Sequence, residues 1–289
     1  MTVKIAHLGP VGTYTETAAI AYAQAELIGT EIDLRPYPSI AETIAAVASG
    51  AVTLAIVPVE NSIEGGVTMT ADTIWQIAAP LQIQQAIVLP IHHALISVAT
   101  NLSAIETVYS HPQALSQCQQ WLQAHLPQAA RIAGSSTTAA LATLAANPRT
   151  AAISSVRAAD LYNLPVLRQP INDRPDNQTK FWAISLQPSL VGNCTSVAFS
   201  LRSNAPGGLM RALGFFADRS LNLSRIESRP SKRSLGDYLF FIDIETDVHN
   251  CPALKSALAD LDAYAETVKN FGSYYTTVIE PLSPSAPTM

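Results

Sequence analysis

The stretch LAIVPVENSIEGGV, residues 54–67, passes from an apolar run to a polar turn that ends in paired glycines. An unbroken apolar run of this length reads as a strand buried on both faces. ENSIEGG then forms a loop, and a helix is expected near Val67–Ile77. The same unit recurs along the chain. VKIAHLG is a strand that runs into the loop GPVGT and a helix over Tyr14–Glu26. IDLRPY precedes a helix opened by the capping-box pair Ser39 and Glu42 and running through Val47. TVYS leads into HPQALSQCQQWLQAHL, RIAG into STTAALATLAAN, and TAAIS into SVRAADLYNL, with two further β-like runs, LQIQQAIVL and ALISVA, after Pro80. Alternating strands and helices predict an open α/β fold with a largely parallel sheet.

QPSLVGN, residues 187–193, contains a Pro/Gly linker, and the pattern changes beyond it. CTSVAFSL, LSRIESR, DYLFFIDIE and TVKNFGSYY read as strands. PGGLMRALGFFADRS, with Pro206 at a good first position, and CPALKSALADLDAY read as helices, and a hairpin loop is expected at Lys232–Gly236. The order is βαββαβ, the ferredoxin-like split unit. The tail PLSPSAPTM, residues 281–289, is expected to be disordered.

The composition narrows the function classes. With 289 residues, 48% hydrophobic and 13% charged, the chain is globular and long enough for two domains. A net charge of −5 without a Lys/Arg block argues against nucleic acid and anionic membranes as partners, while a small anion remains open to a local cluster of donors. Cys118, Cys194 and Cys251 lie far apart, which predicts reduced thiols in a cytoplasmic protein. Gly9, Pro10 and Gly12 interrupt any apolar leader, and no secretion signal is expected. The chain carries no phosphate-binding, dinucleotide or zinc-protease motif, so no cofactor and no metal is expected. His92 and His93 are neighbours and read as one core and one surface imidazole.

Five polar loops, GPVGTYT, VENSIEGG, SHPQAL, SSTTAA and AISSVR, each follow a predicted strand and precede a helix. That is the ligand-binding edge of an α/β sheet, where helix N-termini offer free N–H groups. Their hydroxyls include Thr13, Ser62, Ser136 and Thr137. N-capping accounts for any one of these; the cluster of loops predicts an anion cleft between two lobes, with Lys180 as a cation. Glu60 either meets a substrate hydroxyl or braces its loop. Thr179, in DNQTKFWAI at 176–184, is either the first residue of a strand or a hydroxyl placed for chemistry.

VPVENSIEGGV, HPQALSQC, NQTKF, NAPGGLMRAL and IESRP, in this order, resemble prephenate dehydratase, and the resemblance runs from Gly9 to about Tyr275. It implies a two-lobed catalytic domain like a type 2 periplasmic binding protein at 1–187, with lobe one at about 1–78 plus 165–187 and lobe two at about 79–164. A linker at 188–193 and a regulatory ACT domain at 194–280 would follow, the latter agreeing with the βαββαβ order already read. The implied reaction converts prephenate to phenylpyruvate, carbon dioxide and water. By the resemblance Thr179 is the catalytic residue, and Thr13, Glu60, Asn61, Ser62, His111, Ser136, Thr137, Lys180 and Phe181 surround the substrate. Gln113 holds a loop, and His111 either meets substrate or caps its helix.

The resemblance also implies L-phenylalanine as an effector, bound between ACT domains of a homodimer or homotetramer. The matching residues are Asn204, Pro206, Gly207, Gly208, Leu209, Glu227, Ser228, Arg229 and Pro230. Two positions depart from the family pattern. Lys180 stands where arginine is usual, and Gly208 where alanine is usual. Arogenate dehydratase and a non-catalytic amino-acid sensor are the alternative readings.

Overall fold

The first lobe mixes parallel and antiparallel pairing, where the sequence predicts a largely parallel sheet, in a computed structural model that describes residues 2–279. The expected disorder at 281–289 lies outside the described residues. β1 (Val3–Leu8) sits between β2 (Ile32–Tyr37) and β3 (Leu54–Asn61). α1 (Tyr14–Glu26) begins at Thr13, whose hydroxyl accepts from the Glu16 amide, and α2 (Ile40–Ala48) begins at Ser39, which accepts from Glu42. Each cap satisfies an amide that has no partner within its helix. β4 (Gly65–Gly66) folds back on the end of β3, and α3 (Thr68–Gln76) and β5 (Gln82–Pro90) follow.

The second lobe holds a five-stranded sheet. Its strands are β6 (Ala94–Ile96), β7 (Thr107–Ser110), β8 (Ala130–Ala133), β9 (Thr150–Ser154) and β10 (Val166–Arg168), in the order β10-β6-β9-β7-β8. The helices are α4 (Pro112–Ser116), α5 (Gln119–His125), α6 (Leu141–Leu144) and α7 (Val156–Leu161). The chain then returns through β11 (Gln178–Ser185), which lies antiparallel between β3 and β5.

This pairing moves the expected lobe boundaries. β5 belongs to lobe one because it pairs along β11, and the second lobe extends to β10, a strand too short to show a period in the sequence. The crossings between lobes are at 91–93 and 169–177. Two expected helices also differ. HPQALSQCQQWLQAHL breaks at Cys118, because the Asp173 carboxylate from the second crossing accepts from the amides of Gln120 and Trp121 and starts α5 afresh. STTAALATLAAN is helical only at Leu141–Leu144.

Beyond the linker the βαββαβ order holds: β12 (Cys194–Ser200), α8 (Gly208–Ala217), β13 (Leu223–Pro230), β14 (Tyr238–Ile244), α9 (Pro252–Tyr264) and β15 (Thr267–Val278). Pro206 lies outside α8, since Gly207, at φ 77°, takes the cap position. The strands are ordered β13-β14-β12-β15. Both helices cover one face, over a core that includes Phe199, Phe216, Ile242, Leu254 and Leu261.

The two sheets are continuous. Thr267–Tyr274 pairs with β12, while Tyr275–Val278 runs parallel to β5. Just before the strand changes partners at Tyr274–Tyr275, Gly272 has φ 90° and sits at a register shift against β12. A glycine at such a bulge re-aims the strand. A Cβ there would stand 2.6 Å from both Gln82 Oε1 and the Ser189 carbonyl oxygen. Gly272→Ala should therefore lower unfolding stability by about 1–3 kcal/mol from backbone strain, before any contribution from the contacts. Urea denaturation of the two proteins measures this, and equal midpoints would refute it.

Candidate functional site in the cleft between lobes

Thr179 and Asn61 are opposite one another on β11 and β3, at the edge of a cavity of about 450 Å³. Asn61 Nδ2 donates to Thr179 Oγ1 at 2.9 Å, to Asn177 Oδ1 at 2.8 Å and to the Gln178 carbonyl at 3.2 Å. Asn61 Oδ1 accepts from the amides of Ile63 and Glu64 at 3.0 and 3.1 Å. Those two backbone donors fix which end of the amide faces Thr179. The Thr179 oxygen is therefore an acceptor here, and among the described residues its own hydrogen has no acceptor.

The chain of contacts continues across the cleft. Asn177, 1% exposed, donates through Nδ2 to Gln117 Oε1 at 2.8 Å, and His93 Nε2 lies 3.1 Å from the same oxygen. An oxygen that only accepts requires the His93 hydrogen on Nε2. Tyr14 donates its hydroxyl hydrogen to the His92 carbonyl at 2.7 Å and stands 3.3 Å from His93 Nδ1. Burial lowers the His93 pKa to about 4, so the ring is neutral near pH 7. Burial likewise raises the Tyr14 pKa.

The walls come from both lobes. Val67, Thr68 and Met69, at the start of α3, line one side, and no side chain caps that helix. His111 and Thr137 line the other. Among the described residues that line the cavity there is no lysine or arginine. An anion there would meet amides, hydroxyls and imidazole, together with the exposed Glu64 carboxylate. The lobes touch beside the cleft, where Ser155 Oγ donates to the Gly12 carbonyl at 3.0 Å and Arg157 pairs with the buried Glu16 at 3.2 Å.

Of the residues singled out in the sequence, Thr179, Asn61, His111 and Thr137 meet at this cavity. His111 also caps α4, its Nδ1 accepting from Gln113 N at 3.3 Å. Thr13 caps α1 and donates to the Leu8 carbonyl. Ser62 accepts from the Gln178 amide and ties β3 to β11, and Ser136 stands 3.3 Å from the Thr138 hydroxyl. Three assignments are corrected. Strand alternation sends Lys180 and Glu60 to the face opposite Thr179. There Lys180 Nζ lies 3.7 Å from Glu60 and 3.5 Å from Asp243 of the second domain. Phe181 is 1% exposed and packs in the first lobe's core with Ile5, Ile56 and Ile87.

In the second domain Asn204, Pro206, Gly207, Ser228 and Pro230 are exposed, and Leu209 packs on the core. Gly208 is buried, and a Cβ on it would lie 3.3 Å from Leu201 Cδ1. Glu227 and Arg229 face inward instead, Glu227 paired with Arg225 and Arg229 with Asp72. The sequence reading missed Asn177, Gln117, His93 and the first turn of α3. Asn177 and Gln117 sit inside the motifs NQTKF and HPQALSQC, and membership of those motifs is the signal the sequence carries for them. The expectation of one core and one surface imidazole at His92 and His93 does not say which is which, and nothing local marks the cavity beside His93.

A family model described as prephenate dehydratase matches residues 5–189. The chain is 38% identical over 279 residues to a bifunctional chorismate mutase/prephenate dehydratase of Pseudomonas aeruginosa, covering 96% of this chain and 74% of that protein. It is 34% identical over 278 residues to a prephenate dehydratase of Lactococcus lactis subsp. cremoris, covering 94% and 97%. Among solved structures, a prephenate dehydratase from Arthrobacter aurescens in complex with L-Phe matches with a TM-score of 0.86 at 35% identity, covering 94% of this chain and 90% of that one.

The neutral His93 gives stability a pH dependence of definite sign. Its folded pKa, about 4, lies below the ordinary imidazole value of 6.5, so the unfolded chain takes up the proton first as pH falls. Stability is then lost between about pH 6.5 and 4, by roughly 3 kcal/mol at most. Urea titrations at pH 7 and pH 5 should show this loss, and His93→Gln should remove much of it. An equal pH dependence in the variant would refute the assignment.

Proposed function

The chain belongs to the prephenate dehydratase family, and we propose that it decarboxylates and dehydrates prephenate in the cleft between its lobes, with Thr179 as proton donor. One observation carries the residue assignment. Asn61 Nδ2 donates to Thr179 Oγ1 at 2.9 Å, which leaves the hydroxyl hydrogen free to turn into the cavity.

The reaction is a vinylogous elimination. The bond from the ring to the carboxylate breaks and releases carbon dioxide. Its electron pair moves through the diene to form the aromatic ring, and the C–O bond to the ring hydroxyl breaks at the far carbon. The departing oxygen takes a proton and leaves as water. Aromatisation supplies the driving force, and no redox partner takes part. A threonine hydroxyl is a weak acid, but hydroxide in the act of leaving is basic enough to accept from it. The Asn61 amide, already aimed at Oγ1, stabilises the alkoxide that develops there before solvent returns the proton. With no lysine or arginine among the described lining residues, the substrate carboxylates are left to the amides at the start of α3, to Thr137 and to His111.

The βαββαβ domain serves, on this reading, as an ACT sensor for L-phenylalanine, and its edge strand β13 joins a second copy of the chain. Support for the interface is the open edge of β13 in the sheet order and the exposure of Ile226 on it, 51%. Asn204, Pro206, Gly207, Ser228 and Pro230 form its outward effector surface. A cytoplasmic location agrees with three free thiols.

The test is phenylpyruvate formation from prephenate, run in parallel with arogenate. Thr179→Ala should lower kcat by roughly 10²–10⁴-fold with KM changed little, because a proton donor acts in the transition state. Thr179→Ser should keep most of the activity. A Thr179→Ala variant with normal turnover would remove the assignment, and faster turnover of arogenate would reassign the substrate. Calorimetry should detect L-phenylalanine binding to the whole protein, and gel filtration a dimer or larger; no heat and no effect on rate would leave the second domain a structural role.

A further inference from the structure

Helix α3 touches the cavity at one end and the second domain along its flank. Gly66, Val67, Thr68 and Met69 form a wall of the cavity. One turn later Asp72, its side chain 11% exposed, is clasped by Arg229 through two bonds, Nε to Oδ1 at 3.0 Å and Nη2 to Oδ2 at 3.3 Å. Lys232 Nζ adds a third cationic contact at 2.7 Å. At the far end of the helix, Lys269 Nζ from β15 donates to the carbonyls of Trp75 at 2.6 Å and Ile77 at 2.7 Å. Lys269 thus satisfies carbonyls at the end of α3, where helices run out of internal donors.

A further contact lies nearer the cavity. A Cβ built on Gly66 would stand 2.7 Å from Glu227 Oε2, so only a glycine leaves room for that carboxylate as it lies. Glu227 and Arg229 are two residues apart on one strand and face the same side. Together they press on the segment from Gly66 to Asp72, which also walls the cavity. Ser228 and Pro230, between and after them, are left exposed. A space of about 420 Å³ adjoins the clasp, lined by Asp72, Trp75, Lys232 and Lys269 among others, so these side chains have room to rearrange.

We infer that Asp72 is a positioning residue for the dehydratase reaction, through which the second domain sets the wall of the substrate cavity. Arg229 and Lys232 hold Asp72, Asp72 holds α3, and the first turn of α3 holds the wall. In its regulatory half this rests on the reading that the second domain binds L-phenylalanine. A ligand that shifts β13 moves Arg229 and Glu227 together and so displaces the wall, while the ladder that carries Asn61 and Thr179 stays in place. Glu227 and Arg229 then transmit the signal and the outward residues of β13 receive it.

The experiment uses the full chain and Asp72→Ala, with Asp72→Glu as the conservative variant. Without effector, Asp72→Ala should raise KM for prephenate several-fold and change kcat less than twofold, and amide hydrogen exchange over 61–70 should speed up. Asp72→Glu should recover much of both. In the presence of L-phenylalanine, calorimetric affinity should stay within about threefold of the wild type, while the effect on activity should shrink by roughly fivefold or more, the lower end of ordinary coupling. If Asp72→Ala does not fold, Lys269→Met tests the same link from the other end of α3 with the same readouts. Unchanged KM and exchange in a folded variant would overturn the inference, as would a full phenylalanine effect in Asp72→Ala. A wild type that binds no phenylalanine would sink the sensor reading, and the KM and exchange measurements would then decide the positioning role by themselves.

Discussion

The antiparallel ladder between β3 and β11 organises both sides of the molecule. Its register sets Asn61 opposite Thr179 and, one step along, Glu60 opposite Lys180. Neighbours on a strand point to opposite faces, so one pair looks into the cleft and the other toward the second domain. A slip of β11 by one residue would turn Lys180 into the cavity and Thr179 toward the domain seam. The register is held by the apolar residues that follow. Phe181 packs in one core of the first lobe and Trp182 in the other, each 1% exposed.

The seam behind the ladder gathers the lysine and arginine that the described lining of the cleft lacks. Lys180 and Arg225 meet Glu60, Asp243 and Glu227 there. Asp243 is 1% exposed and also accepts from the Ser196 hydroxyl at 2.6 Å. Burial works against the charge on Arg225, but Asp243 and Glu227 outweigh it and raise its pKa. Buried ion clusters add little net stability, since desolvation offsets attraction, yet removing one member leaves an uncompensated charge. Their effect is directional: the second domain can dock on β3 and β11 only where these charges meet. With β15 hydrogen-bonded to both sheets, the two domains share a backbone ladder as well.

Local signals were legible where local physics decides the structure. The Ser39 cap, the Thr13 cap and the bounds of α1 follow from residues within one turn, and the βαββαβ order follows from period and turn chemistry. What escaped the sequence was set at long range. Asp173, far along the chain, breaks the helix at Cys118; β5 joins lobe one only because β11 returns to pair with it. Lys180 shows the same limit within the site. Its charge and its place beside Thr179 are visible in the sequence, but the direction of its side chain depends on where strand β11 begins. Asn177 escaped for a similar reason. A buried asparagine that bridges Asn61 and Gln117 looks, in the sequence, like any loop residue.

A cavity whose described lining holds no lysine or arginine is a poor trap for a dianion and, for that reason, a better place to decarboxylate one. Catalysis needs interactions that are stronger in the transition state than in the ground state. A cation fixed on the departing carboxylate would hold charge where the reaction must remove it, and carbon dioxide could form only as that attraction was lost. Amides and hydroxyls bind an anion more weakly and lose less as it is neutralised. The oxygen that leaves from the opposite end of the ring gains negative charge during the same event. That is where fixed donors belong, and on the proposed assignment Asn61, aimed by two backbone amides and bonded to Thr179, is one of them. Placing Lys180 behind the strand keeps its charge for holding the domains together and out of the ground state of the reaction.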